Sequence, residues 1–318
     1  MYKKFDLFED LWYNVGNFKG VFMNVIALSK RKFENLEPLK LARGVYSTES
    51  QVYMFHYKGE EKVVKKFFCQ NGERFANKLY TLEMLSYYKK YLPESFCIPD
   101  AQISVAGIVQ GFTLPYIDGV NLTTFLNNKE MSLEDKKYYL AKVGDILNQL
   151  KAIRNSTPIN DIYIGDLHSS NFLVTNNKTL KVVDLDSCKI KNNTSFVSRY
   201  LNTGGLLKNV LGKYKFINNP GEMGEVEVDE NTDLYCYSLM ILNFLYGLGV
   251  DRLSLEDFYN YMNYLELIGV NDNLVNSFRT LISNKDNINP KNYLDDLTEE
   301  QVVRAKGYVY QKVKNRYI

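Results

Sequence analysis

The sequence predicts an α+β fold in two parts: a small β-rich unit with one helix, then a larger, mainly helical unit. Three observations predict it. Short alternating apolar stretches between Leu39 and Phe68, and again from Ile103 to Tyr116, have the period of strands. Between them Phe75, Leu79, Leu82 and Leu85 recur at helical spacing. After Asp118-Gly119 the apolar pattern becomes helical and stays so for most of the remaining chain.

The elements follow in order. Residues 1–36 alternate short aromatic segments with charge, which predicts one or two helices and shows no motif. Val45, Val52, Met54, His56, Val63 and Phe67 form a β-meander, broken by turns at 47–50 and at Lys58-Gly59-Glu60-Glu61. A helix spans residues 74–91, and Pro93 closes it. Ser132-Leu133-Glu134-Asp135 predicts a capping box opening a helix to Ile153. Short strands are expected within Ile162–Val174 and Leu180–Ile190. Residues 191–232 are polar and irregular, too long for a simple connector.

The chain has 318 residues, ample for a hydrophobic core without staples. Its 39 Lys and Arg against 37 Asp and Glu give a net charge of +2, which argues against a nucleic-acid partner. Cys69, Cys97, Cys188 and Cys236 are scattered and the only histidines are His56 and His168, so no zinc site is expected. Sparse cysteines fit a reducing, cytoplasmic setting. No apolar segment precedes Glu9 and Asp10, so no signal peptide is expected. The apolar run Leu234–Val250 is short for a membrane span, which needs about 20 residues. It reads instead as a helix buried on all sides. The 25 tyrosines carry no functional signal beyond filling a core.

The chemistry is concentrated in Ile164-Gly165-Asp166-Leu167-His168-Ser169-Ser170-Asn171, followed by an apolar strand, and in Val182-Val183-Asp184-Leu185-Asp186. A hairpin turning near Asn176-Asn177 would bring Asp166, Asn171 and Asp184 to one mouth. An acceptor hydroxyl needs a carboxylate to orient it and take its proton, and Mg2+ prefers oxygen ligands such as Asn and Asp. These are the parts of a phosphoryl-transfer site.

On these residues the chain resembles the protein-kinase-like superfamily, over roughly residues 38–290. The resemblance implies a bilobal fold, with a small antiparallel sheet lobe carrying one helix and a larger helical lobe. It divides the chain into an N-terminal extension (1–37), an ATP-binding lobe (38–117) and a large lobe with a C-terminal extension (118–318). It implies that Asp166 is the catalytic base, and that Asn171 and Asp184 hold Mg2+. The strand Glu61–Phe68 would supply the Lys that meets the ATP phosphates, Lys65, with Lys66 the alternative; strand alternation puts only one of them in the pocket. A helical Glu would fix that Lys, and Glu83, set among apolar neighbours, is preferred to Glu73. A degenerate glycine loop with Gly44, Ser47, Ser50 and Val52 would cover the phosphates. Pro115, Tyr116 and Ile117 resemble the hinge that meets the adenine. Asp233, opening the buried helix, would bind the backbone of the catalytic loop, and Pro220-Gly221-Glu222 is similar to a conserved element of such kinases.

The departures matter. The catalytic Asp follows Gly165 instead of Arg, so activity independent of activation-segment phosphorylation is expected. Asp184-Leu185-Asp186 lacks the usual Gly, and Asp186 is either a second metal-facing carboxylate or the cap of a turn. Gly165-Asp166-Leu167-His168 is similar to aminoglycoside and choline phosphotransferases, where His168 would act as a donor near the γ-phosphate or as a packed structural group. The expected activity is therefore ATP- and Mg2+-dependent transfer to a hydroxyl. The acceptor would be Ser or Thr on a protein, with Thr194, Ser195, Ser198 and Thr203 as autophosphorylation candidates. The alternatives are a small hydroxyl-bearing molecule as acceptor, or a pseudokinase that only binds nucleotide.

Overall fold

The structure, a computed structural model, describes residues 23–39, 50–69, 72–191, 193, 227–247, 249–250 and 253–316. It is a mixed α+β molecule, mainly β in its N-terminal part and helical in its C-terminal part. Gly44, Ser47, the Pro220-Gly221-Glu222 element and the four candidate autophosphorylation sites lie outside the described residues.

The N-terminal sheet has six strands: β1 (Asn24–Leu28), β2 (Glu37–Pro38), β3 (Ser50–Tyr57), β4 (Glu60–Phe67), β5 (Ala101–Val105) and β6 (Ile108–Pro115). Their order is β1-β5-β6-β4-β3-β2. All neighbours are antiparallel except β1 and β5, which run parallel. The helix expected near the N-terminus is therefore corrected at residues 24–28, which form a strand. The alternation is plain there, with Val25 exposed and Ile26 buried. Among the described residues of this stretch, the five-residue helix α1 (Lys30–Glu34), capped by Ser29, matches the helical expectation. β1 and β2 thus add two strands to the sheet that the sequence pattern begins at Leu39, with α1 between them.

The two faces of this sheet bury different things. On one, Phe33 of α1 covers Ile26, Phe55, Val64, Ala101 and Ile103 as a small separate core. On the other, Phe67 and Phe112 pack edge to face and join the main core. Gly111 lets β6 approach β4, since a Cβ there would lie 2.2 Å from the Lys65 carbonyl oxygen. The helix α2 (Glu73–Tyr87) crosses the face toward the rest of the molecule, with a 3-10 turn over Lys89–Tyr91 after it.

β6 leads through Tyr116-Ile117-Asp118 into β7 (Gly119–Asn121), which joins a second sheet, β10-β9-β7. Here β9 (Phe172–Thr175) and β10 (Leu180–Val182) form the expected hairpin with its turn at Asn176-Asn177. A third, two-stranded sheet pairs β8 (Ile162–Tyr163) with β11 (Lys189–Ile190). The short α3 (Leu122–Asn127) and the long α4 (Leu133–Ser156) follow β7. Ser132 caps α4 by accepting from the Asp135 backbone. The reciprocal half of the expected capping box is absent among the described residues, because the Ser132 hydroxyl bonds the Asp135 carboxylate instead.

The C-terminal part packs around α5 (Glu230–Tyr246), with α6 (Leu255–Leu267), α7 (Asp272–Arg279) and α8 (Glu299–Arg316) outside it. α5 opens with an Asp229–Thr232 capping box and stops at Gly247 in the left-handed region. It is buried on all sides, including Tyr235, Tyr237, Ile241 and Leu245. Tyrosine here is core material with a polar tip. The Tyr237 hydroxyl donates to the Leu140 carbonyl at 2.8 Å, and Tyr246, Tyr261 and Tyr308 form one ring cluster. Among the described residues no helix is long and apolar enough to cross a membrane.

Candidate functional site

The site begins with the loop between β8 and β9. Gly165 has a φ of 75°, which lets the chain turn so that the Asp166 amide bonds the Ile164 carbonyl. Asp233, the first buried carboxylate of α5, clamps this turn from behind. Its two oxygens accept from the Ile164 amide at 2.8 Å and the Gly165 amide at 3.0 Å. Burial raises the Asp233 carboxyl from its ordinary 3.8 to about 7, although both amide bonds pull the other way.

Past the turn, the Asn171 side-chain amide donates to the Asp166 carbonyl at 2.9 Å and to its carboxylate at 3.3 Å. His168 Nε2 lies 3.4 Å from the same carboxylate oxygen. Asp166, His168 and Asn171 thus form one cluster, with the last two buried. Thr123 of α3 adds a hydroxyl contact to Ser169 at 2.6 Å.

The Val183 amide donates to the Asn171 carbonyl at 2.9 Å, tying the end of β10 to this loop. The next residue, Asp184, sits in the left-handed region at φ 61°, ψ 48°, uncommon for a residue with a Cβ. A 3-10 turn over Leu185–Ser187 follows.

Lys65 on β4 meets this segment from the sheet. Its ammonium bonds the Asp184 carboxylate and reaches Asp186 Oδ2 at 2.8 Å. Strand register explains why Lys65 and not Lys66 does so. Lys65 pairs with Val52 on β3 and Phe112 on β6, which puts these three on the face toward α2. Lys66 points the opposite way, its ammonium 4.6 Å from the centre of the Phe33 ring. Burial opposes the charge on Lys65, but the two carboxylates outweigh it and hold its pKa above the usual lysine value.

The two carboxylates differ. Asp186 is buried, with its other oxygen 3.0 Å from the Lys78 ammonium on α2. Burial would raise Asp186, yet two ammoniums overcome it and hold the carboxyl below the usual range. The Asp184 side chain keeps 45% of its surface exposed. Its carboxyl is nonetheless raised by loss of water, which the shared Lys65 only partly offsets. Asp186, expected as either a second metal-facing carboxylate or the cap of a turn, is in this structure a buried anion between two lysines.

The expected Lys65–Glu83 pair is corrected. Glu83 accepts from the Gln102 side chain at 2.5 Å, and burial raises its carboxyl while that bond opposes the rise. The physical reason is helix phase. Lys78 and Thr81 lie on the face of α2 toward 186–193, where Thr81 also bonds Asn193. Glu83 lies five residues after Lys78, more than a quarter-turn away from that face. Asn77, Lys78 and Thr81 are the polar residues that α2 buries.

Of the other expected binding residues, Ser50 is buried at the start of β3 and Val52 is half-buried beside Lys65. Pro115 ends β6, and Tyr116 and Ile117 carry the chain between the two sheets. The oxygen set suits a hard divalent cation. The Asn171 amide nitrogen is engaged, leaving its oxygen as a ligand, and Asp184 is accessible. Among the described residues no three His, Cys, Asp or Glu side chains cluster tightly enough to hold a metal alone. Mg2+ does not need such a cage, since it commonly takes one or two carboxylates and completes its shell with water and substrate phosphates.

No family model matches the chain, and no curated protein matches it significantly.

Proposed function

We propose that this protein is a phosphotransferase of the kinase-like, bilobal type, moving the γ-phosphoryl group of ATP to a hydroxyl with Mg2+ as cofactor. The observation that carries the reading is the meeting of Lys65 with Asp184 at the end of a hairpin whose other end fixes Asp166 through Asn171. Each member has a role. Asp166 orients the acceptor hydroxyl and takes its proton as the oxygen attacks the γ-phosphorus. The bond to the β,γ-bridging oxygen breaks, and ADP leaves with that electron pair. Lys65 binds the α- and β-phosphates. Asn171 and Asp184 would hold Mg2+, which neutralises charge on the phosphates when bound. Catalysis of this kind is mostly positioning and charge stabilisation.

The acceptor we propose first is a Ser or Thr hydroxyl on a protein. A small hydroxyl-bearing acceptor is the second reading, supported by His168 beside Asp166 in the Gly165-Asp166-Leu167-His168 turn. Incubation with γ-labelled Mg-ATP, with and without generic protein substrates, separates the two. Label on protein that Asp166→Asn loses supports the first. ATP consumption only with an added metabolite supports the second. Tight Mg-ATP binding without transfer to any acceptor leaves a nucleotide-binding scaffold and rejects both.

A further inference from the structure

We infer that Lys78 and Asp186 are positioning residues for Lys65, jointly taking the place that an acidic residue of α2 was expected to hold. The inference rests on the phosphotransfer reading and deepens it.

Lys65 touches two carboxylates in unequal settings. Asp184 is half-exposed on a left-handed residue at the hairpin end, where a divalent cation bound to polyphosphate would compete for it. Asp186 is 3% exposed and is gripped on its far oxygen by Lys78, itself 5% exposed. A lysine is a point charge on a flexible four-carbon stem and holds no direction alone. If the metal takes Asp184, Lys65 needs a second anchor to keep its ammonium aimed at phosphate, and Asp186 is that anchor.

Asp186 in turn needs fixing, because the short turn carrying it is held by few main-chain bonds. The Cys188 amide closes it on the Leu185 carbonyl. Lys78 joins that turn to the 15-residue helix α2. The Thr81 and Asn193 side chains lie alongside and bond the Cys188 carbonyl, at 3.5 and 2.9 Å. Glu83 is engaged with Gln102 and takes no part.

A pair that aims Lys65 acts on phosphate and not on the nucleoside. Equilibrium titrations of Mg-ATP and of adenosine into the full chain therefore test it, with Lys78→Met, Lys78→Arg and Glu83→Gln beside the parent. Lys78→Met is expected to weaken Mg-ATP about tenfold, the scale of one charge-assisted hydrogen bond, and to leave adenosine within about twofold. Lys78→Arg is expected to recover most of the loss, which a general loss of packing would not allow. Should Lys78→Met fail to fold, the double variant Lys78→Met/Asp186→Asn removes both buried charges and is expected to show the same selective loss. Parent-like Mg-ATP affinity in either variant, or a larger loss in Glu83→Gln, overturns the inference alone. A parent that binds no Mg-ATP overturns the phosphotransfer reading and this inference with it.

Discussion

On the hairpin side of the candidate site, main-chain hydrogen bonds fix the important residues. Asp233 holds two consecutive amides, Gly165 supplies the turn, and the Val183 amide ties Asp184 to Asn171. On the sheet side, buried charges do the fixing: Lys65, Asp186 and Lys78 form a chain of ion pairs that links β4, the Leu185–Ser187 turn and α2. The two constructions fail differently. A main-chain network is local and tolerant of its neighbours, whereas a buried ion pair is costly to break from one side, because the surviving charge has no water to turn to.

The largest expected effect tests the hairpin side. Asp166→Asn should lower phosphoryl transfer by about 10²–10⁴-fold, the usual worth of a general base, with Mg-ATP affinity little changed. Loss of nucleotide binding in that variant would instead make Asp166 structural. On the sheet side, Asp186→Leu removes the buried carboxylate that Lys65 and Lys78 share, and denaturant unfolding should show a loss of about 3–5 kcal/mol. A change under about 1 kcal/mol would mean that water reaches the pair and that the two sides of the site fail alike.

Asp233 sharpens the comparison through pH. Its carboxyl keeps a proton in the folded chain up to about pH 7, whereas the unfolded chain releases it near 3.8. Its contribution to stability is therefore full below 3.8 and is lost as the pH rises to about 7. The stability difference between parent and Asp233→Asn should change across that window and be flat above it. A difference constant from pH 4 to 8 would show that the two amide bonds keep the carboxylate ionised throughout.

Gly111→Ala should cost about 1–3 kcal/mol, because the new methyl group meets the Lys65 carbonyl and β6 must shift. The smallest effect belongs to Lys66→Met. Its cation–π contact with Phe33 is worth about 0.5–1 kcal/mol, and transfer activity should stay within about twofold. A larger activity loss there than in Lys65→Met would reverse the assignment of the two lysines.

The same division governs what the sequence revealed. The β3–β4 meander, α2, the hairpin with its Asn176-Asn177 turn, the Ser132 cap and the buried α5 were legible, because periodicity, turn residues and caps act within a few residues of their cause. The Asp233 contact with the loop backbone was expected only from the resemblance, and the Ile164 and Gly165 amides supply it. Strand alternation allowed only one of Lys65 and Lys66 into the pocket, and the pairing of β4 with β3 and β6 decides which. The partner of Lys65 was not legible. Choosing between Glu83 and Asp186 depends on the rotation of α2 against a turn more than 100 residues away in sequence, and no local period encodes that. The strand β1 was missed for a related reason: five residues pairing with β5 across a long separation look like one more aromatic-flanked segment.

Titration of ATP into the protein, with Mg2+ and with chelator, tests the central claim most directly when parent and Asp184→Asn are compared. A phosphotransfer site built on Lys65, Asn171 and Asp184 predicts tight binding by the parent that needs Mg2+, and loss of that Mg2+ dependence in the variant. Equal affinity in chelator, or the same Mg2+ dependence in Asp184→Asn, would contradict it.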